Sequence, residues 1–200
     1  MREFIIPEDG LVVKTDQGRP ILELSIQDEG NIVRMFGAEG EPKIALAAYG
    51  DTGTLIIGDP NKTGIVISCS EDMSEIGIIS SGKSINLAIN QTSSELTFLN
   101  ANGAPTNKLY VDEDGGQMGL GDLEGSVMIS AGAGKGGGLC HLMNRKGDTV
   151  VVLESNEENG NITLLDEDGN IRLMIRHKED SNIHLVDKTG HIIWTTLPQY

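Results

Sequence analysis

The chain has 200 residues, of which 38% are hydrophobic and only 4% aromatic, and its formal net charge is −15 at pH 7. So acidic a chain is repelled by a nucleic-acid backbone, which argues against nucleic acid as a partner, and the charge is expected to form a solvated surface. The scarcity of aromatic residues argues against a thick globular core and favours thin layers of small and branched side chains.

The first ten residues, MREFIIPEDG, contain no long apolar segment. We therefore expect neither a secretory signal nor a membrane-inserted segment there. Residues 1–10 are interpreted as an N-terminal lead-in, 11–196 as a single repeat domain and 197–200 as a C-terminal tail. The location of the protein is left open, with a virion or cell-surface assembly among the settings considered.

A glycine recurs through the repeat domain at an average spacing of 21.5 residues, counted over the eight intervals from Gly18 to Gly190. The members of this series are Gly18, Gly40, Gly64, Gly82, Gly103, Gly125, Gly147, Gly169 and Gly190. A fixed period of this size indicates a stacked or radial repeat architecture rather than one irregular core. Such folds commonly serve as spacers or as extended binding surfaces.

Short runs rich in alternating apolar residues follow one another about every ten or eleven residues. In chain order the predicted strands are Leu11–Thr15, Pro20–Ile26, Asn31–Phe36, Lys43–Tyr49, Thr54–Gly58, Gly64–Cys69, Glu75–Ser80, Ser84–Asn90, Glu95–Leu99, Lys108–Val111, Gln117–Leu120, Ser126–Ser130, Leu139–Met143, Thr149–Glu154 and four more within 161–175 and 182–194. This spacing is typical of an all-β protein. No segment has an apolar stripe at helical spacing, and each of the 26 glycines would cost about 1 kcal/mol inside a helix.

The repeat unit is clearest near the C-terminus, where residues 161–175 read NITLLDEDGNIRLMI and residues 182–194 read NIHLVDKTGHIIW. Each unit is an apolar run, the pattern D-x-x-G and a second apolar run. An Asp at the start of a type I turn bonds its own backbone, and a Gly three places later takes the left-handed conformation of a bulge. The sequence therefore predicts repeated short β-hairpins, about eighteen strands in all.

The register of these hairpins indicates how they are covered. We expect Val186 to face Ile192 on one side of the ribbon and Leu185 to face Ile193 on the other. In the preceding unit Leu165 is expected opposite Ile171. Both faces would then be partly apolar, and a lone ribbon is marginal in water. The hairpins need cover on two sides, from further layers of the same chain or from other copies.

Three architectures meet this requirement: an elongated β-repeat or β-prism-like body, a two-sided β-solenoid and a β-propeller. The repeats quoted above and the looser SELTFLNANGAPTNKLYV resemble the β-repeat shafts of trimeric phage and viral tail fibres and related bacterial surface fibres. This resemblance implies a homotrimer that serves as a mechanical spacer or attaches to a glycan or protein receptor.

The segment 77–84, GIISSGKS, matches the phosphate-binding pattern G-x-x-x-x-G-K-[ST] letter for letter. That chemistry needs a helix after the loop, so that its N-terminus meets the phosphates. Here the following SINLAIN alternates like a strand, and Gly82 belongs to the glycine series. We therefore interpret the motif as a repeat turn.

Other apparent motifs are also interpreted structurally. The glycine-rich run 131–138 is expected to form a flexible or tightly curved connection, and the acidic turns 112–115 and 166–169 offer too few carboxylates to hold Ca²⁺. The histidines His177, His184 and His191 are expected to be exposed or interfacial. The sequons that begin at Asn61, Asn90 and Asn161 are interpreted as chance matches. Cys69 and Cys140 are expected to be small buried side chains. His184 is expected opposite Trp194.

No catalytic, cofactor-binding or metal-binding residues are predicted, and no cofactor is expected. The sequence favours a non-catalytic structural or attachment module, a fibre-like β-repeat spacer that associates with itself. The alternative is a compact monomeric domain, propeller or solenoid, that binds a glycan or a peptide.

Overall fold

A computed structural model describes residues 7, 10–27, 30–177 and 181–196, which form eighteen β-strands and no helix. The strands are β1 Leu11–Lys14, β2 Pro20–Gln27, β3 Gly30–Phe36, β4 Pro42–Tyr49, β5 Thr52–Asp59, β6 Thr63–Cys69, β7 Met73–Ser80, β8 Lys83–Asn90, β9 Ser93–Leu99, β10 Pro105–Asp112, β11 Gly115–Gly121, β12 Val127–Gly134, β13 Gly137–Met143, β14 Thr149–Ser155, β15 Gly160–Leu165, β16 Ile171–His177, β17 Asn182–Val186 and β18 Ile192–Thr195. The predicted all-β fold of repeated hairpins, with eighteen strands, is confirmed.

The chain divides into two compact units. The first comprises residues up to Leu96 together with Ala101–Gly103, and the second comprises Thr97–Asn100 and the chain from Ala104 onward. In the first unit β1 to β8 form an antiparallel meander in which each strand pairs with the next. In the second unit β10 to β18 do the same. The predicted tail 197–200 and most of the predicted lead-in lie outside the described residues, and the single domain stays a prediction.

The D-x-x-G turn forms as the sequence predicts. In the turn between β15 and β16, the Gly169 amide donates to the Asp166 carbonyl at 3.1 Å, and the Asp166 amide donates to the Asn170 carbonyl at 2.9 Å. The Asp166 carboxylate accepts from the amides of Asp168 and Asn170 at 3.0 and 2.9 Å. Gly169 has φ +80°, the left-handed conformation that a bulge requires.

Eight of the nine glycines in the series have φ between +78° and +88° and lie in turns that join an odd-numbered strand to the next even-numbered one. The exception is Gly64, which lies within β6 opposite Gly58. There the turn is Asp59–Lys62, closed by a 3.0 Å bond from the Lys62 amide to the Asp59 carbonyl. Gly64 therefore lies in a strand, as the predicted strand Gly64–Cys69 has it, because Pro60 and Asn61 make a turn that needs no glycine.

The register of the last hairpin differs from the prediction by one residue. Val186 pairs with Ile192 as expected, but Leu185 pairs with Trp194 instead of Ile193. The ladder shifts between Leu185 and Val186, because Ile193 is an extra residue in a bulge. The preceding hairpin repeats the pattern: Leu165 pairs with Ile171, as predicted, and Leu164 pairs with Leu173.

The glycine-rich run 131–138 is mostly strand rather than connection. Residues 131–134 end β12 and residues 137–138 begin β13, with Gly134 paired to Gly137. The prediction of a connecting segment therefore holds only for the tight turn of Lys135 and Gly136, since the flanking glycines take part in the ladder.

Candidate functional site: an uncovered apolar sheet face

One face of the first unit carries two continuous rows of apolar side chains that run across the strands. Partners in a ladder point to the same side of a sheet, as do residues two apart in one strand, so the register assigns the rows directly. The first row is Leu11, Leu24, Val33, Leu46, Leu55, Ile67, Ile76 and Leu87, and the second is Val13, Leu22, Met35, Ile44, Ile57, Ile65, Ile78 and Ile85. We call this side the apolar face of the first unit. Neither row contains a polar or charged residue.

The second unit has an apolar face of the same kind. Its rows are Asn107, Leu120, Ile129, Leu142, Val151, Leu164, Leu173, Leu185 and Trp194, and Leu109, Met118, Ala131, Cys140, Leu153, Ile162, Ile175 and Ile183. The first row continues over nine strands and the second over eight, with Asn107 as their one polar member.

The apolar faces lack cover in the described part of the chain. Ile32, at 6% exposure, is the most deeply buried hydrophobic residue there, and it lies on the other face. Most exposed large hydrophobic residues belong to the apolar faces: Val13, Ile26, Met35, Leu46, Ile57, Ile76, Ile78, Ile85 and Ile89 in the first unit, and Leu109, Val111, Leu153, Ile162, Leu164, Leu185 and Trp194 in the second. A contiguous exposed apolar surface of this kind is typical of a site that contacts another molecule, which makes it the candidate here.

The opposite side of each unit, which we call the mixed face, combines polar with small and apolar residues. In the first unit Arg34 and Glu23 form a salt bridge of 3.1 Å across β2 and β3. In the second, Asn161 donates to Glu154 at 2.8 Å and pairs with Arg176. Both faces are thus partly apolar, as expected from the sequence, but the distribution between them is strongly unequal.

A groove of about 1120 Å³ runs along the mixed face of the first unit. Its lining includes Arg34, Tyr49, Ile56 and the ion pair of Lys43 with Glu41, whose Nζ and Oε1 atoms lie 2.6 Å apart. The hydrogen bond between these two groups lowers the pKa of Glu41 and raises that of Lys43. The groove therefore presents charges of both signs at one end of β4 and an aromatic ring at the other end.

The phosphate-loop pattern at 77–84 falls on a strand, a two-residue turn and a strand. Ser80 pairs with Lys83, and the turn residues Ser81 and Gly82 have φ +51° and +80°. Residues 83–90 form β8, so no helix N-terminus points at the loop. The interpretation of Gly82 as a repeat turn is confirmed.

The acidic turns use their leading carboxylates internally. Asp112 accepts from the amides of Asp114 and Gly115 at 2.9 and 3.1 Å. The corresponding bonds to Asp166, first from the Asn170 amide, lower the pKa of that carboxyl. No group of three metal-ligating side chains comes together among the described residues.

Asp187 shows the same capping most strongly. Its Oδ1 accepts from the Thr189 hydroxyl at 2.6 Å and from the amides of Thr189 and His191 at 2.8 and 3.0 Å. These bonds, the hydroxyl bond foremost, lower the pKa of Asp187 to about 2. The carboxylate fixes the turn rather than presenting a free ligand.

The three C-terminal histidines lie in different settings. His177 contacts the Ser181 hydroxyl at 3.1 Å, and His191 lies in the turn with its Nδ1 3.9 Å from Asp187. His184 pairs with Thr195, so the predicted pairing with Trp194 was wrong by the one residue of the bulge. Its Nδ1 is enclosed without a hydrogen-bond partner.

The sequon asparagines also have structural roles. Asn61 lies in the turn after β5 and Asn90 caps the turn after β8, while Asn161 bonds Glu154 as described above. Both cysteines are free thiols; Cys140 is half-buried, but Cys69 is exposed, which contradicts the expectation that it is buried. Sequence reasoning missed that both cysteines lie on apolar faces, because the register decides this.

No protein-family model and no curated protein sequence matches the chain. Among solved structures, the crystal structure of BamB from Moraxella catarrhalis is similar at 10% identity over 97% of this chain and 89% of that chain, with a TM-score of 0.20. A score this low carries no argument about fold or function. The described residues include no helix with the length and apolarity needed to span a membrane.

Proposed function

We propose that the protein is a non-catalytic structural or attachment module that works as an assembly of several copies, with a homotrimer favoured. The observation that supports this proposal is the pair of uncovered apolar rows in each unit. An antiparallel sheet commonly packs one face on a core and leaves the other in water. Here the described residues form a single layer, so the more apolar face is left without a core to pack on.

The isoleucines of the second row illustrate the energetic argument. Ile57, Ile78 and Ile85 remain 41, 47 and 39% exposed. Full burial of such a side chain from water is worth about 1.5–3 kcal/mol, so covering the remaining exposed part of each contributes about 1 kcal/mol. Summed over the rows, this is a large driving force for association.

A trimer agrees with the resemblance to fibre shafts, in which several chains share one interior. A structural spacer also agrees with the repeated Asx turns, since their carboxylates are engaged by their own backbone. Attachment to a glycan or protein receptor is part of the same proposal.

Sedimentation of the purified chain tests it. We expect a mass near three times 21.4 kDa together with a high frictional ratio. A compact monomer at micromolar concentration would rule the assembly out.

The groove on the mixed face supports a second candidate, a monomeric module that binds a glycan or a peptide. Tyr49, at 39% exposure, offers a ring for stacking in the same groove that Arg34 and Glu41 line. This second candidate predicts a monomer that binds an oligosaccharide or a peptide saturably. The Tyr49→Ala variant should lose that binding.

A further inference from the structure

We propose that the apolar face of each unit is covered by the same face of other copies of this chain, while the mixed face and the turns stay in solvent. The inference rests on the proposed self-association and adds to it by naming the buried side of the sheet. The occupant is identified from charge, area and the continuity of the rows.

Charge decides which surface identical copies can share. Each chain carries a net charge of −15, so two copies repel one another across most of their surfaces. The two rows of the first unit contain no charged residue. The mixed face, in contrast, carries the Glu23–Arg34 ion pair and Glu75, and removing these charges from water would cost free energy.

The area is sufficient for a stable contact. Strands lie about 4.8 Å apart and residues on one face about 6.8 Å apart along a strand, so the two rows across eight strands give about 500 Å² in the first unit, and the rows of the second unit give about as much. A stable interface buries about 800 Å² per partner. The two apolar faces of one chain together exceed that value.

Wild-type Cys69 provides a direct probe, since it lies on the apolar face and is exposed in the single chain. Its neighbour Ser68 points to the mixed face and is half-buried. In an isolated chain, therefore, a thiol at position 69 reacts faster than one at position 68. If other copies cover the apolar face, the order reverses.

The experiment compares two single-thiol proteins, Cys140→Ala and the triple variant Ser68→Cys, Cys69→Ser, Cys140→Ala, by their rates of reaction with a soluble disulfide reagent. In the native assembly we expect the thiol at position 69 to react at least tenfold more slowly than the thiol at position 68. In denaturant we expect the two thiols to react at equal rates. Faster reaction of Cys69 in a protein that sediments as an oligomer would overturn this inference and leave the proposed assembly standing. A monomer would overturn both.

A matched pair of substitutions tests the second unit. Leu109 and Leu139 are both 44% exposed but lie on the apolar and mixed faces respectively. We expect Leu109→Lys to weaken association at least tenfold by sedimentation, while Leu139→Lys keeps the wild-type mass. Equal masses for the two folded variants would contradict the assignment, and if Leu109→Lys does not fold, the thiol rates decide.

Discussion

The turn glycine Gly169 allows a quantitative test of the repeat. Replacing it with Ala forces a side chain into a backbone conformation with φ +80°, but the added Cβ would meet no atom within 4 Å. The cost is therefore purely conformational. Left-handed backbone costs an L-residue about 1–2 kcal/mol.

Part of that cost is offset in the unfolded chain, because Gly→Ala lowers its entropy by the equivalent of about 0.4–1 kcal/mol. We expect Gly169→Ala to lose about 1 kcal/mol of stability. Gly119 is the matched control: it lies inside β11, has no left-handed φ and likewise offers open space to a Cβ. Gly119→Ala should be neutral or gain a few tenths to about 1 kcal/mol.

Equilibrium unfolding in urea at one fixed protein concentration measures both variants, because association would add to the apparent stability. Gly169→Asn serves as the rescue variant, since Asn tolerates the left-handed region better than Ala. The reasoning fails if Gly169→Ala matches the wild type, or if Gly119→Ala loses as much stability as Gly169→Ala.

Three further predictions concern single side chains. Because its pKa is depressed to about 2, the Asp187 carboxylate contributes stability that is present above its ordinary pKa of 3.8 and is lost as the pH falls toward 2; carboxyl NMR should show this titration. Asp187→Asn should keep the turn and remove that pH dependence, since Asn144 caps an equivalent turn with a neutral oxygen. Lys83→Ala should leave the rate of ATP hydrolysis in purified preparations unchanged; a saturable activity lost in this variant would revive a nucleotide site at 77–84. Millimolar Ca²⁺ should not raise the unfolding temperature, because the Asp112 carboxylate already caps its own turn; a saturable increase would contradict this.

The elements that could be predicted from sequence are those set by local chemistry. The turn at Asp166–Gly169 needs only an acceptor side chain and a residue that tolerates positive φ, so it is visible in one repeat. Alternating branched residues then identify the strands on either side. Gly64 keeps the spacing of the glycine series although it lies in a strand, because Asp59 and Pro60 form the preceding turn without a glycine of that series.

The faces of the sheet could not be predicted in the same way. A single extra residue at Ile193 moves the partner of Leu185 to Trp194. A bulge of this kind has no sequence signature beyond the turn itself, yet it fixes which side chains share a row. The rows of the candidate interface depend on the register of every consecutive pair of strands. Those registers come from the structure.

Every described pairing joins strands that are neighbours in the chain. Each glycine turn belongs to one hairpin, so a repeat unit contributes two strands to the sheet. Duplication or loss of a whole hairpin within a unit therefore changes the length of a row by two side chains. The remaining side chains stay on the same face of the sheet. Removing one strand alone would join two segments that run in the wrong direction. The chain therefore has a built-in module of about 22 residues, by which such a protein can be lengthened or shortened during evolution while its apolar face is kept.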